Sequence, residues 1–111
     1  MSEFEVRHYL TPSGRDLFGD WMKSLNDRRA VAAILLRIGR IRRGLFGDCK
    51  SVGDGVQELR IDIGQGYRVY FGRVGDRLII LLCGGDKRGQ RGDIKDAKRY
   101  WADYSKQTGT Q

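Results

Sequence analysis

The chain has 111 residues, room for one domain with a modest core and too few for two. Twenty-one lysines and arginines against 14 acids leave a net charge of +7, a field that attracts polyanions such as nucleic acid or the ribosome. No apolar run exceeds seven residues, so no membrane-spanning helix is expected.

Residues 1–10 (MSEFEVRHYL) mix charged and apolar groups and lack the apolar core of a secretory signal, so a cytoplasmic protein is expected. From Phe4 to Leu10 they alternate and predict a first strand. Thr11 before Pro12, or Ser13 with Asp16, offers a helix cap. Leu17, Phe18, Trp21, Met22 and Leu25 then recur at helical spacing and predict a helix over 12–25. Asp27 caps a second helix with an apolar stripe of Val31, Ile34, Leu35, Ile38 and Ile41, ending near Gly44. Its opposite face carries Arg28, Arg29, Arg37, Arg40 and Arg43, which gives the helical hairpin a basic outer surface.

Residues 44–55 read as a glycine-punctuated loop, followed by strands over 56–63, 67–74 and 77–84. The last strand is apolar at both parities and is expected to be central and covered on both faces. It leads into GGDKRGQRGD, read as a mobile basic loop, and then a helix over 93–104. Residues 105–111 read as a flexible tail, leaving one α+β domain over 1–104 in the order β-α-α-β-β-β-α.

The hairpin around Gln65 has a legible register. Ile63 opposite Tyr67, Ile61 opposite Val69 and Leu59 opposite Phe71 make one apolar face. The other face then displays Glu58, Arg60, Asp62, Arg68 and Tyr70, with Asp62 paired to Arg68 and Arg60 to Tyr70. Such pairs suit an ordinary solvated sheet as well as a binding surface. With the loop residues Lys87, Arg88 and Arg91 they line a positive concavity suited to phosphate.

His8 is the sole histidine, which excludes a two-histidine nuclease and a histidine-rich metal site. The glycine clusters match neither the Walker loop nor the dinucleotide fingerprint, so no cofactor or metal is expected. Cys49 and Cys83 lie in unlike surroundings without a CxxC and are expected to be reduced.

The run ELR, then GYRVYF, then an apolar strand ending in GGDK, then a DI-x-x-A helix resembles the phage-derived addiction module killer branch of the RelE/HigB/ParE toxin superfamily. The resemblance is densest over 55–101 and extends over 3–104. It implies a small antiparallel sheet with an N-terminal strand, a helical hairpin packed on one face and a C-terminal helix. It also implies the toxin of a type II toxin–antitoxin module, a ribosome-dependent mRNA endoribonuclease that uses the RNA 2′-hydroxyl as nucleophile. A cognate antitoxin, commonly a helix-turn-helix protein, is the implied partner beside ribosome and mRNA. Operator DNA is met only through that antitoxin, and no membrane is involved.

Carried over by residue, the arginine of GYR is Arg68, and the basic residue after the last strand is Lys87 or Arg88. The lysine pair of RelE-like nucleases falls at Val56 and Glu58, their C-terminal tyrosine falls near Ile94, and HigB-type histidines are absent. Glu58 is then the candidate base, given a suitable pKa, and Arg60 binds phosphate or holds that carboxylate. The candidate catalytic set is Arg68, Lys87, Arg60 and Glu58, with Arg88, Arg91, Tyr70 and Lys50 as RNA contacts. Two other readings stand beside it: a ParE-like gyrase inhibitor without nuclease activity, and an inactive nucleic-acid-binding relative.

Overall fold

A computed structural model describes residues 3–109. In chain order the elements are β1 (Glu5–His8), α1 (Leu17–Ser24), α2 (Arg28–Arg42), β2 (Cys49–Gly53), β3 (Val56–Ile61), β4 (Tyr67–Val74), β5 (Leu78–Asp86) and α3 (Gln90–Thr108). A 3₁₀ turn over Lys87–Gly89 links β5 to α3. The five strands form one sheet in the order β1-β5-β4-β3-β2. Neighbours are antiparallel except β1, which runs parallel to β5, so the α+β fold has a mixed sheet instead of the wholly antiparallel one expected.

The first helix starts later than the expected position 12, at Leu17, where its apolar spacing begins. Thr11 caps a tight turn, its hydroxyl accepting from the Arg15 amide at 3.0 Å, and Gly14 turns the chain with a φ of 86°. Asp16 is the true N-cap, accepting from the Gly19 amide at 2.9 Å. Asp27 caps α2 as expected, accepting from the amides of Arg29 and Ala30 at 3.0 and 3.2 Å. Asp27→Ala should therefore cost about 1 kcal/mol in a denaturant melt, the usual worth of such a cap.

The buried stripe of α2 is Ala30, Ile34, Ile38 and Ile41. Leu35, expected in that stripe, is 55% exposed, and Leu36 beside it is 56% exposed. Arg37 departs from the outer face as well. Its guanidinium reaches across to the carbonyls of Arg60 at 2.7 Å and Asp48 at 3.3 Å, fastening the segment between α2 and β2 to the sheet.

The sheet is covered on both faces. On one side α1 and α2 bring Phe18, Ile34 and Ile38 onto Leu59, Val69, Phe71 and Leu81. On the other α3 brings Ala97 and Trp101 onto Val56, Tyr70, Ile80 and Leu82. As expected, β5 is interior and covered on both sides, alternate residues feeding the two cores. Each layer is keyed by a tryptophan lying over a glycine: Trp21 over Gly84 on one face, Trp101 over Gly72 on the other. A Cβ at either glycine would overlap the indole. Gly72→Ala should lift α3 and cost about 1–3 kcal/mol by overpacking, read as a lowered melting temperature.

Three further expectations change. Residues 49–53, assigned to a loop, form the edge strand β2. The supposed mobile loop after the last strand is ordered as the end of β5, the 3₁₀ turn and the start of α3. Of the expected tail 105–111, residues 105–108 continue α3, Gly109 closes it in the left-handed region, and 110–111 lie outside the described residues. The two cysteines are free, and they belong to opposite faces of the sheet. Burial pushes the Cys83 thiol up to about 12. Among the described residues no helix is long and apolar enough to cross a membrane.

Candidate nucleic-acid interface

The β3–β4 ladder carries the site, in a register two residues away from the expected one. Ile61 pairs with Tyr67, Arg60 with Arg68, Leu59 with Val69 and Glu58 with Tyr70. The strands close earlier on the chain because residues 62–66 form the connection, where the Gly66 amide bonds the Ile63 carbonyl. A two-residue offset keeps every side chain on its expected face. It changes the partners, however: Asp62 leaves the ladder and is exposed, so its expected ion pair with Arg68 does not form.

Two cross-strand rows result. One runs Lys50, Glu58, Tyr70, Cys83 from β2 to β5, and the next sets Arg60 beside Arg68 beside Gly85. Two arginines directly opposite each other repel. Glu58, two residues before Arg60 on β3 and diagonal to Arg68, is what makes the pair tolerable: Arg60 Nε donates to its Oε1 at 3.1 Å, and Arg68 Nε lies 4.0 Å from the same oxygen. Tyr70 Oη at 3.0 Å and Gln90 Nε2 at 2.7 Å donate to the other oxygen, Oε2.

The face expected to be displayed is thus largely closed by α3. Glu58 and Tyr70 are fully buried and Arg68 is 8% exposed. Tyr70 therefore presents no ring for a base to stack on. Burial, then the charge and hydrogen bond of Glu58, hold its phenol far above the ordinary tyrosine value. Glu58 does not meet the condition set for a base either. Burial pushes its carboxyl up, but the donors Gln90, Arg60 and Tyr70 outweigh that and leave it below the ordinary range. A carboxylate held by three donors positions arginines; it does not collect protons.

The cations are placed differently from one another. Arg60 is one-third exposed at its side chain and faces solvent at the rim. Arg68 donates through Nη1 to the Tyr67 carbonyl at 3.3 Å, while its buried Nε has no hydrogen-bond partner among the described residues. Such an orphan donor costs free energy unless a ligand or water meets it. Lys87 approaches from the 3₁₀ turn, its amide bonding the Gly66 carbonyl at 3.3 Å. Gly66 is the common neighbour: its Cβ position lies within 4.0 Å of both Arg68 Nη1 and the Lys87 stem. The ammonium of Lys87 is exposed, without a side-chain partner among the described residues. Arg88, by contrast, is paired with Asp86 at 3.0 Å, and that hydrogen bond holds the Asp86 carboxyl low. Arg91, on the first turn of α3, and Lys50, on the edge strand, are exposed at the flanks.

Arg60, Arg68, Lys87 and Glu58 are therefore brought together, with Lys50 in the next row and Arg88 and Arg91 around the rim. Gln90 was missed, because the segment 85–93 was assigned to a loop and not to a helix start. The signal available was Asp86, whose side chain accepts from the Arg88 amide and begins the 3₁₀ turn. This arrangement can hold an anion between two guanidinium groups and an ammonium, backed by a neutralised floor.

A family model described as phage derived protein Gp49-like (DUF891) matches residues 20–100. The chain belongs to this family. A Haemophilus influenzae protein described as uncharacterized is 57% identical over 81 residues, covering 73% of this chain and 82% of that protein. The matched stretch of the Gp49-like chain runs from α1 into α3 and so contains every residue of the candidate site.

Proposed function

We propose that this Gp49-like chain is the toxin of a type II toxin–antitoxin module of RelE/HigB type, a ribosome-dependent endoribonuclease that cuts mRNA. The observation that carries this reading is the buried Nε of Arg68, without a hydrogen-bond partner among the described residues, beside Arg60 and Lys87. The family's link to toxin–antitoxin modules supports the toxin part.

In this scheme an RNA 2′-hydroxyl attacks the adjacent phosphate in line, and negative charge grows on the phosphoryl oxygens. Arg68 is held in place by the sheet and by Glu58, so its donors are aimed before the substrate arrives. Preorganised donors of this kind act most strongly where water is partly excluded. Arg60 engages the phosphate from the rim, and the exposed Lys87 reaches the developing or departing oxygen. Lys50, Arg88 and Arg91 contact the backbone on either side. Protein cations supply the charge stabilisation, so the scheme calls for no cofactor.

The partner proposed is an antitoxin, through which operator DNA is bound. The outer face of α2 suits it, since Leu35 and Leu36 are exposed on a helix that carries five arginines and no acid. An acidic amphipathic segment fits such a surface. The site of action is the cytoplasm, where ribosomes are.

Purified protein added to a translation reaction with a defined mRNA tests the nuclease reading. New mRNA ends that appear only when ribosomes translate the message are expected. Intact mRNA together with trapped gyrase–DNA complexes in a supercoiling assay would instead point to the ParE-like activity.

A further inference from the structure

Of the carboxylates around the basic site, Glu58 is bound by three donors and Asp86 is paired with Arg88. Asp93 is different. It lies on the first turn of α3, yet that helix has no side-chain cap bond, so Asp93 is not a capping residue. It makes no hydrogen bond or ion pair among the described residues. Its carboxylate instead lies directly over the backbone of Gly85, so that a Cβ there would overlap it, and also lies close to Gly89. Gly85 is the cross-strand partner of Arg68. Asp93 thus occupies the place a β5 side chain would fill, extending the row Arg60–Arg68 by a carboxylate. Glycine at 85 leaves that place open. The 3₁₀ turn bearing Lys87 links the end of β5 to α3.

We infer that Asp93 is the proton acceptor of the cleavage site, taking the proton of the attacking 2′-hydroxyl. The O2′–phosphorus bond forms as the phosphorus–O5′ bond breaks, the products being a 2′,3′-cyclic phosphate and a 5′-hydroxyl. The departing oxygen takes its proton from solvent, and Asp93 returns its own to solvent afterwards. This rests on the endoribonuclease reading above.

The surroundings suit the task. Asp93 is half-buried, so substrate can reach it. Burial, then the charges of Asp96 on α3 and Asp86 on β5, hold its carboxyl above its ordinary value. Tyr70 on β4, held high by burial and Glu58 with a smaller part from Asp93, and Cys83 on β5, held high by burial and then by Asp93, stay protonated beside it. The cations on the adjoining elements are Arg68, the cross-strand partner of Gly85, with Lys87 and Arg88 on the turn, and none of them pairs with Asp93 among the described residues. A carboxylate with a raised pKa and no competing donor is a better base than one already saturated. The positive end of α3 opposes this rise, and burial outweighs it.

The test compares wild type, Asp93→Asn and Gly85→Ala in ribosome-dependent cleavage across pH, with RNA affinity and thermal melts measured alongside. Wild type should lose rate on acidification through a carboxyl ionisation. Asp93→Asn should cleave about 100-fold or more slowly, lose that ionisation, and bind RNA undiminished. Gly85→Ala should slow cleavage by displacing the carboxylate, with a folded melt. A folded Asp93→Asn with the wild-type rate and pH profile overturns the inference and leaves the nuclease reading intact. Absence of cleavage by wild type overturns both.

Discussion

Replacing Arg68 with alanine is expected to slow mRNA cleavage by about 10²–10³-fold, the usual loss when one preorganised donor is removed from a charge-stabilising site. The expectation follows from how Arg68 is held. Its stem is buried in the sheet, its Nη1 is fixed on the Tyr67 carbonyl, and its Nε is left without a hydrogen-bond partner among the described residues. Some stability should be lost as well, since the 3.3 Å hydrogen bond, the buried stem and the 4.0 Å ion pair with Glu58 all go, partly offset by relief of the repulsion with Arg60. Arg68→Lys should also be impaired, because an ammonium cannot present the guanidinium fork in the same place. Single-turnover cleavage rates, with a melt for each variant, check this. Wild-type rates in a folded Arg68→Ala protein would remove Arg68 from the mechanism.

Replacing Glu58 with alanine should be the most destabilising change in the site, costing about 3–5 kcal/mol. It leaves the Tyr70 hydroxyl, the Gln90 amide and two arginines facing each other over an empty position. Urea unfolding reads the effect directly, and unfolding near the wild-type midpoint would show that the network is not structural. Glu58→Gln keeps the volume and isolates the charge. The Glu58 carboxyl titrates below its ordinary value in the folded chain, so the unfolded state takes up its proton first on acidification. The ionised form therefore stabilises the fold above about pH 4.3, the unfolded value, and this advantage is lost as pH falls toward the folded value. The gap in unfolding free energy between wild type and Glu58→Gln should be full at pH 7 and should narrow toward pH 3.

Much of the fold was legible because hydrophobic parity is robust. Ile61, Leu59, Tyr67, Val69 and Phe71 stay on one face whether the ladder is set as expected or two residues along, so the core came out correctly while the partners did not. What failed was whatever parity does not encode. CKSVG has no apolar alternation, and β2 forms because the edge of β3 offers it a ladder. The second sheet face was assigned to solvent because it bears charges, although Ala97 and Trp101 gave α3 an apolar side that had to be buried somewhere. Placing α3 there turns Tyr70 from a stacking platform into a donor to Glu58, and Glu58 from a base into a support. Arg60 and Arg68 were nameable from the parity of the hairpin, and Arg68 from the resemblance around GYR, while Lys87 was nameable because positive charge at the exit of a buried strand suits phosphate. Asp93 and Gln90 were not, since their roles exist only once α3 starts at Gln90 and crosses the end of β5.

The central claim, that the cations around Arg68 serve cleavage of translated mRNA, is met most directly by primer extension on a reporter message after induction in a bacterial host. Wild type and Arg68→Ala are induced to equal protein levels. Growth arrest with new, ribosome-dependent 5′ ends in the reporter, both absent with the variant, is the predicted result. Arrest that leaves the message intact, or cleavage that persists in the Arg68→Ala protein, would contradict it.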